Sequence, residues 1–163
     1  MRWVGRPLLR YEDAVLLQGR GRFTADQARG ARILRFVRSP VARGRILTVS
    51  APPEVTFITA AGLGDVKPIC PRLDRPDYVA VAQPIIATKR VTYVGEPIAA
   101  VIADTASEAE DLAERVTVEI DAETPVVTLD QALAPNAPLV HEIAPQNTLI
   151  DARFETPGVA ARG

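Results

Sequence analysis

Hydrophobic and polar positions follow a clear order in the middle of the chain. Residues 98–103 read IAAVIA, an apolar run that predicts a strand buried on both faces. Residues 106–116 place apolar side chains at three- and four-residue spacing with acidic side chains opposite, which is typical of an amphipathic helix. Residues 116–120 then alternate apolar and polar positions, as a strand with one buried face does. We therefore predict a β-α-β unit at residues 98–120.

The start of the predicted helix carries its own capping signal. Thr105 and Glu108 have the capping-box spacing, so the hydroxyl and the carboxylate can bind backbone N–H groups that the first turn leaves free. The crossover through this helix is also long enough for the two flanking strands to lie parallel.

Shorter apolar patterns precede this unit. Residues 31–37 and 44–49 have strand composition and are separated by Ser39-Pro40, which predicts two strands joined by a turn. Residues 55–59 predict another short strand, and residues 60–65 predict a helical turn.

Proline divides the rest of the chain. Four prolines within residues 66–84 predict a long irregular loop, where we expect contact with a ligand or a partner. Residues 85–87 predict a short strand after it. Residues 121–133 predict a turn, a short strand and one helical turn. Four more prolines within residues 134–163 indicate an arm.

The whole pattern indicates an α+β fold with two arms. Residues 1–30 contain four glycines and too little apolar periodicity for a long helix or strand, so we expect an extended N-terminal arm. Residues 31–125 form the predicted domain. Residues 126–163 form the predicted C-terminal arm.

Composition narrows the class of protein. A chain of 163 residues fits one domain with arms. The single cysteine, Cys70, excludes an internal disulfide and any cysteine-rich metal site formed by this chain alone. No apolar run approaches the roughly 20 residues needed to span a bilayer, and the start lacks a signal-peptide pattern. We therefore expect a cytoplasmic chain with no membrane span.

Charge is divided unevenly along the chain. Residues 1–50 hold 11 arginines against three acidic residues, a balance of +8, so the remaining residues carry −9 to give the net charge of −1. The arginines are not interleaved with stacking aromatic residues, which argues against a nucleic-acid surface. We expect the basic and acidic parts to face each other or a partner protein.

No catalytic constellation is evident in the sequence. Cys70 has Lys67 and Arg72 nearby, which would lower the pKa of a thiol, but no base accompanies it. His141 is the only histidine and lies in the proline-rich arm, where a structural or solvent-facing role is favoured. A free-standing enzyme that uses Cys70 or His141 is thus the weakest hypothesis.

Two further patterns receive plain structural interpretations. The acidic residues of the predicted helix indicate a solvated face rather than a cation site; they are Glu108, Glu110, Asp111 and Glu114. Gly19-Arg20-Gly21 lacks the strand and helix that a phosphate-binding glycine loop needs, and is interpreted as a turn.

Residues 93–103, YVGEPIAAVIA, and the acidic helix after them resemble the α/β-hammerhead domain of the molybdenum hydroxylases. This family includes xanthine dehydrogenase, aldehyde oxidase and aerobic carbon monoxide dehydrogenase. The resemblance covers nearly the whole chain and rests on the order and spacing of its parts. The other parts that match are Arg10, Glu12-Asp13, Gly19 and Asp26 in the opening arm, Val37-Arg38-Ser39-Pro40 with Arg45-Ile46, and Leu139-Val140-His141-Glu142 with Asn147.

Some positions depart from the family's wording. Arg43 stands where a histidine is frequent, Pro53-Glu54 replaces a proline-glycine pair, and residues 121–125 differ from the usual tyrosine-glutamate-proline-leucine-proline. These differences affect local contacts rather than the fold. Family large subunits continue for several times this length, and their molybdopterin contacts and catalytic glutamate lie in that further part.

The resemblance implies a parent oxidoreductase that hydroxylates a carbon centre, or oxidises carbon monoxide, with water at a molybdenum cofactor. It implies no catalytic, cofactor-binding or metal-binding residue in this chain, and it implies molybdopterin, iron-sulfur clusters and FAD in the parent complex. The implied partners are molybdopterin-binding domains and an iron-sulfur subunit, with an FAD subunit as a further candidate. Tyr78, Val79 and Ala80 are the implied candidates for lining the substrate funnel, with simple packing as the alternative.

Two hypotheses of different class follow. The first is a structural and subunit-joining component of a molybdenum hydroxylase large subunit that is not catalytic alone. The alternative is a free-standing binding module that reuses the hammerhead fold, which would be a monodisperse and cooperatively folding monomer.

Overall fold

The computed structural model describes residues 4–27 and 30–154. The chain forms two compact units, Met1–Ala31 and Arg32–Gly163. In the first unit, helix α1 (Asp13–Leu17) is followed by a turn at Gly19 and by a 3-10 helix at Thr24–Gln27. Its described residues contain no strand and no longer helix. This agrees with the weak periodicity of the sequence there, and with the interpretation of Gly19 as a turn residue.

The second unit holds two three-stranded sheets. The first sheet has the order β1-β5-β3 and the second has the order β4-β2-β6, with all pairs antiparallel. The elements in chain order are β1 (Ile33–Arg38), β2 (Gly44–Ser50), β3 (Phe57–Thr59), β4 (Arg90–Val91), β5 (Pro97–Ala103), α2 (Ala106–Glu114), β6 (Thr117–Ala122) and α3 (Leu129–Leu133). Short 3-10 helices lie at Ala60–Leu63 and Pro145–Asn147.

Strand β5 is the centre of the core, as the apolar run predicts. Ala99 and Val101 are fully buried in one cluster, which Leu112 and Ala113 of α2 cover. Ile98 belongs to a second cluster, which the side chains of β2 and β6 cover. One strand therefore contributes to both clusters and joins the two sheets.

The predicted β-α-β unit is present in chain order, but its strands do not pair with each other. The expectation of parallel strands is wrong, because β1 and β3 occupy both edges of β5. Helix α2 therefore carries the chain to the other sheet, where β6 pairs with β2. The crossover changes sheets instead of returning to the same one.

Helix α2 begins where its capping signal predicts. Thr105 Oγ1 accepts a hydrogen bond from the Glu108 N–H at 3.2 Å. The Glu108 carboxylate in turn accepts from the N–H of Asp104 at 3.2 Å. Ala109 is fully buried against the first sheet, and the acidic residues of the helix are exposed.

The predictions of the shorter strands and helical turns are confirmed in part. The three strand predictions before residue 60 correspond to β1, β2 and β3, and the helical turns after residues 59 and 128 are present. β1 and β2 lie in different sheets, so Ser39-Pro40 joins two sheets rather than a hairpin.

Two predicted strands are wrong. Residues 85–87 form no strand, because Pro84 interrupts the backbone and the buried side chains of Ile86 and Ala87 anchor the chain as a bend. No strand follows β6 before α3 either, since Pro125 lacks a backbone donor.

Arginines from the first 50 residues pair with acidic residues from later in the chain. The four pairs within the second unit are Arg32–Asp104, Arg35–Glu110, Arg43–Glu123 and Arg45–Asp121. For these four, the expectation that the basic and acidic parts face each other is confirmed. Among the described helices, none is long and apolar enough to cross a membrane.

Candidate functional site

The proline-rich loop, residues 66–84, contains no helix or strand and is held by backbone hydrogen bonds at two places. Ile69 and Gln83 exchange backbone hydrogen bonds of 2.8 and 2.9 Å, which close the loop on itself. The Val79 N–H donates to the carbonyl of Leu149 at 2.8 Å. The second contact fastens the loop to the C-terminal segment, by which we mean residues 123–154.

Asn147 organises the C-terminal segment. Its side-chain oxygen accepts from the Val140 N–H at 2.8 Å, and its amide nitrogen donates to the carbonyls of Ala132 and Pro138, both at 3.1 Å. Its backbone has a φ of 57°, in the left-handed region that asparagine tolerates better than most residues. One side chain thus joins α3 to the turns after it.

Arg43 fastens this segment to the second sheet. Its side chain is only 16% exposed and lies 3.3 Å from the Glu123 carboxylate. It also donates to the carbonyls of Thr124 at 3.1 Å and Leu139 at 3.4 Å. Arg90 forms a second ion pair with Glu123. The side chain of Arg43 is therefore a long-range tether between the second sheet and the C-terminal segment.

A groove lies between the loop and the C-terminal segment. Its inner hollow has a volume of about 360 Å³, and a neighbouring hollow of about 600 Å³ shares five of its wall residues. The wall of the inner hollow consists of Tyr78, Val81, Ala82, Gln83, Pro84, Arg90, Thr92, Tyr93, Glu96, His141 and Leu149. We call the inner hollow the Glu96 groove.

The turn before β5 supplies the polar groups of the Glu96 groove. Glu96 is only 4% exposed, and its Oε2 accepts from the backbone N–H of Thr92 at 2.6 Å and from the Thr92 hydroxyl at 3.0 Å. Tyr93 accepts a hydrogen bond from the Gln83 amide at 2.9 Å through its phenolic oxygen. The turn that positions the carboxylate is therefore also linked to the proline-rich loop.

The same turn is fixed from behind by Ser39. The Ser39 N–H donates to the carbonyl of Glu96 at 2.9 Å, and the Gly95 N–H donates to the carbonyl of Ser39 at 2.8 Å. Ser39 is buried, and its hydroxyl donates to the carbonyl of Val41 at 2.7 Å. The Ser-Pro connection between the sheets thus holds the residue whose side chain enters the groove.

A further ion pair lies within the proline-rich loop, just before the residues that contact the C-terminal segment. Arg75 donates two hydrogen bonds to Asp77, at 2.8 and 2.6 Å. The hydrogen bonds from Arg75 hold the pKa of Asp77 below its usual value, and they raise the pKa of Arg75 in return. The guanidinium of Arg75 also lies over the ring of Phe154.

The three funnel candidates occupy different positions. Tyr78 is half-buried, lines the Glu96 groove and forms an isolated bridge with Ile150. Val79 is half-buried and contributes its backbone to the contact with Leu149, and Ala80 is exposed. Among the described residues, the wall of the groove includes Tyr78 but neither Val79 nor Ala80.

The other chemically reactive candidates do not come together. Cys70 is exposed, and its thiol faces only the carbonyl of Pro68, at 3.8 Å. His141 lines the groove on the side of the C-terminal segment. Within residues 4–27 and 30–154, no group of three or more histidine, cysteine or acidic residues is arranged to hold a metal ion.

Sequence reasoning missed Glu96 and Arg43 as site residues. Glu96 carried a signal, because a carboxylate directly before a fully apolar strand must either reach water or find hydrogen-bond donors. Arg43 stood out only as a departure from the pattern the sequence resembles, and its partners could not be named because they lie about 80 and 96 positions away in the chain.

Comparison with known proteins places this architecture in a family. Residues 18–124 match the family described as "Aldehyde oxidase and xanthine dehydrogenase, a/b hammerhead domain". The nicotine 6-hydroxylase large subunit of Paenarthrobacter nicotinovorans is 32% identical over 129 residues, which cover 72% of this chain and 15% of that protein. The carbon monoxide dehydrogenase large chain of Hydrogenophaga pseudoflava is 33% identical over 138 residues, which cover 80% and 17%.

The fold agrees with the sequence comparison. The crystal structure of quinoline 2-oxidoreductase from Pseudomonas putida 86 superposes with a TM-score of 0.68 and 30% identity, and the match covers 80% of this chain and 18% of that chain. This chain therefore spans less than a fifth of the length of the relatives it matches. It belongs to the aldehyde oxidase and xanthine dehydrogenase α/β-hammerhead family.

Proposed function

We propose that this chain is the structural and subunit-joining part of a molybdenum hydroxylase large subunit, and that it contributes no catalytic group of its own. The observation that carries this proposal is the distribution of exposed large apolar side chains in the second unit. They are concentrated on the proline-rich loop and the C-terminal segment, at Val66, Ile69, Leu73, Val127, Leu129, Leu133, Leu139, Ile143, Leu149, Ile150 and Phe154.

Apolar side chains on irregular segments are costly to leave in water. Leu129 and Leu133 of α3 are 73% and 59% exposed, and α3 buries no residue of its own. A helix normally buries an apolar stripe against a neighbour, so α3 has the composition of an element that docks on another polypeptide. The arms over residues 1–30 and 126–163 serve, in this proposal, to reach those neighbouring parts.

The remaining parts of the parent enzyme follow from the family. We propose an oxidoreductase in which molybdopterin, iron-sulfur clusters and FAD are bound outside this chain, by molybdopterin-binding domains and by partner subunits. Two of the relatives are a large subunit and a large chain, which supports an assembly of several subunits. In such an enzyme Tyr78, Val79 and Ala80 would face the path of the substrate. The single cysteine is compatible with a cytoplasmic location.

The experiment that tests this proposal is purification of the tagged chain from the organism that encodes it. The proposal predicts a complex much heavier than 17.6 kDa that contains molybdenum and iron. A double variant, Leu129→Ser with Leu133→Ser, should reduce the yield of the complex. Glu110→Gln with Glu114→Gln, on the exposed face of α2, is the matched control and should not.

The alternative function makes the opposite prediction. A free-standing binding module would purify without molybdenum or iron as a monodisperse monomer with a single cooperative unfolding transition. That result would contradict the proposed role in a hydroxylase.

A further inference from the structure

Glu96 is the only charged residue among the described residues that is classed as buried; Ser39 is the only other buried polar one. A carboxylate that loses its water is stable only when hydrogen bonds or a cation replace it. Both hydrogen bonds to the Glu96 carboxylate reach the same oxygen, Oε2, and both come from Thr92. The other carboxylate oxygen, Oε1, has no hydrogen-bond partner among the described residues. Because no fully buried side-chain oxygen there lacks a partner, Oε1 is open to solvent.

No cation of the described chain compensates this charge. Within residues 4–27 and 30–154, none of the ion pairs includes Glu96. Arg90 is part of the groove wall, but its guanidinium is paired with Glu123. The wall of the groove therefore includes a carboxylate that no cation within residues 4–27 and 30–154 neutralises.

The walls around this charge suit a long cationic side chain. Tyr78 and Tyr93 contribute aromatic rings, and Pro84 and Leu149 contribute apolar surface. Aromatic faces attract cations, and an apolar wall can cover the methylene stem of arginine or lysine. The volume of about 360 Å³ is sufficient for one such side chain.

We propose that the Glu96 groove is a socket for an arginine or lysine side chain of the polypeptide that docks on the proline-rich loop and the C-terminal segment. A docked polypeptide fits better than a free small cation, because exposed apolar side chains at the rim, Leu149 among them, would be covered at the same time. This inference rests on the proposed function, since it names the chemistry by which the neighbouring part of the enzyme is recognised.

The chemistry of the socket is tested on the 163-residue chain alone. An NMR titration with N-acetyl-arginine amide should shift the resonances of Thr92, Tyr93 and Gln83. N-acetyl-citrulline amide has a neutral head group of nearly the same shape. Its affinity should be lower by at least about tenfold, because it lacks the charge-assisted hydrogen bond to Glu96. Equal affinities for the two probes, or resonance shifts only outside the Glu96 groove, would overturn the proposal. This result does not depend on the folding of any variant, because both probes are tested on the unaltered chain.

The variant Glu96→Gln tests the role of the negative charge without removing the hydrogen-bond acceptor that supports the turn. The glutamine oxygen can still accept the two hydrogen bonds from Thr92, so the turn should persist, while binding of the arginine probe should fall by about tenfold or more. Glu142→Gln is the matched control, because Glu142 is an exposed acid on the neighbouring hollow. An arginine affinity that Glu96→Gln leaves unchanged would contradict the proposal.

The complex provides a second and separate result. If the chain purifies with molybdenum and iron, Glu96→Gln should weaken that assembly by about tenfold or more and reduce its dependence on salt. A metal-containing complex that is insensitive to Glu96→Gln would overturn the socket and leave the proposed function intact. A metal-free chain that still binds arginine through Glu96 would overturn the proposed function and leave the chemistry of the socket intact.

Discussion

The two sheets and the Glu96 groove are held together by different kinds of contact. In the sheets, β5 is buried on both faces, and its side chains enter two apolar clusters that draw on nearly every neighbouring element. Around the groove, the proline-rich loop and the C-terminal segment are positioned by a few polar side chains, chiefly Arg43, Asn147 and Gln83. The first region depends on summed burial, and the second depends on individual hydrogen bonds and ion pairs.

This difference separates stability from recognition. A core built from many similar contacts loses stability in proportion to what is removed, and it unfolds as one unit. Segments held by a few tethers can open locally while the core stays folded. The same segments leave apolar side chains exposed, so a docking partner can stabilise them by covering those side chains.

The largest effect is expected from the core. Ile98→Ala should lower the free energy of unfolding by about 3 kcal/mol, because it removes a side chain that is 1% exposed from the second cluster. Leu47→Ala is the control, since Leu47 is 58% exposed on β2, and it should change the free energy by less than about 0.5 kcal/mol. Chemical denaturation measures both, and similar losses for the two variants would contradict the assignment of the core.

A smaller and local effect is expected at the tether. Arg43→Met should lower the free energy of opening of the C-terminal segment by about 1–3 kcal/mol, because the Leu139 and Thr124 carbonyls and Glu123 lose a donor. Hydrogen exchange should increase in residues 123–150 and not in β5. Arg45→Met, which breaks an exposed pair with Asp121, should change exchange little. Faster exchange throughout the sheets would show that the two regions are not separate.

The same substitution, threonine to alanine at a helix N-cap, can be made beside the core and in the C-terminal segment. Thr105→Ala should lower the free energy of global unfolding by about 1 kcal/mol, because the cap of α2 supports a helix that packs on the core. Thr128→Ala removes the capping box of α3, which buries nothing, so it should increase exchange near α3 without altering global unfolding. Equal global losses would contradict the comparison.

The smallest effect is expected from acid. Asp77 has its pKa lowered by the hydrogen bonds from Arg75, so the pair stabilises the loop at pH values above the ordinary value of 3.8. That contribution is lost as the pH falls through the lowered pKa of the folded state. A carboxyl-detected NMR titration should place the midpoint of Asp77 below 3.8, and Arg75→Gln should return it toward that value. A midpoint at or above 3.8 in the unaltered chain would contradict the pairing.

The sequence predicts the sheets better than the groove, because the elements of the sheets follow local patterns and the groove does not. The apolar run of β5, the capped helix α2 and the alternating strand β6 are local patterns, and all three appear where the patterns place them. The partners of those strands depend on which sheet edges are free. That is a property of the whole fold, and the parallel pairing inferred from the crossover length was wrong.

The groove depends on contacts that no local pattern reveals. Arg43 meets Leu139, and Gln83 meets Tyr93, only because the loop and the C-terminal segment fold back onto the parts of the second unit that lie near its sheets. The sequence did locate the irregular loop through its prolines, and the resemblance to the family selected Tyr78, which lines the groove. Glu96 was visible only as the polar end of an apolar strand.

Hydrogen exchange of the chain alone and within the purified complex tests the central claim most directly, namely that the loop and the C-terminal segment form the docking surface. We predict strong protection on assembly in residues 66–84 and 126–150, with little change in the exposed face of α2. Unchanged exchange in both segments, or protection confined to α2, would contradict the claim.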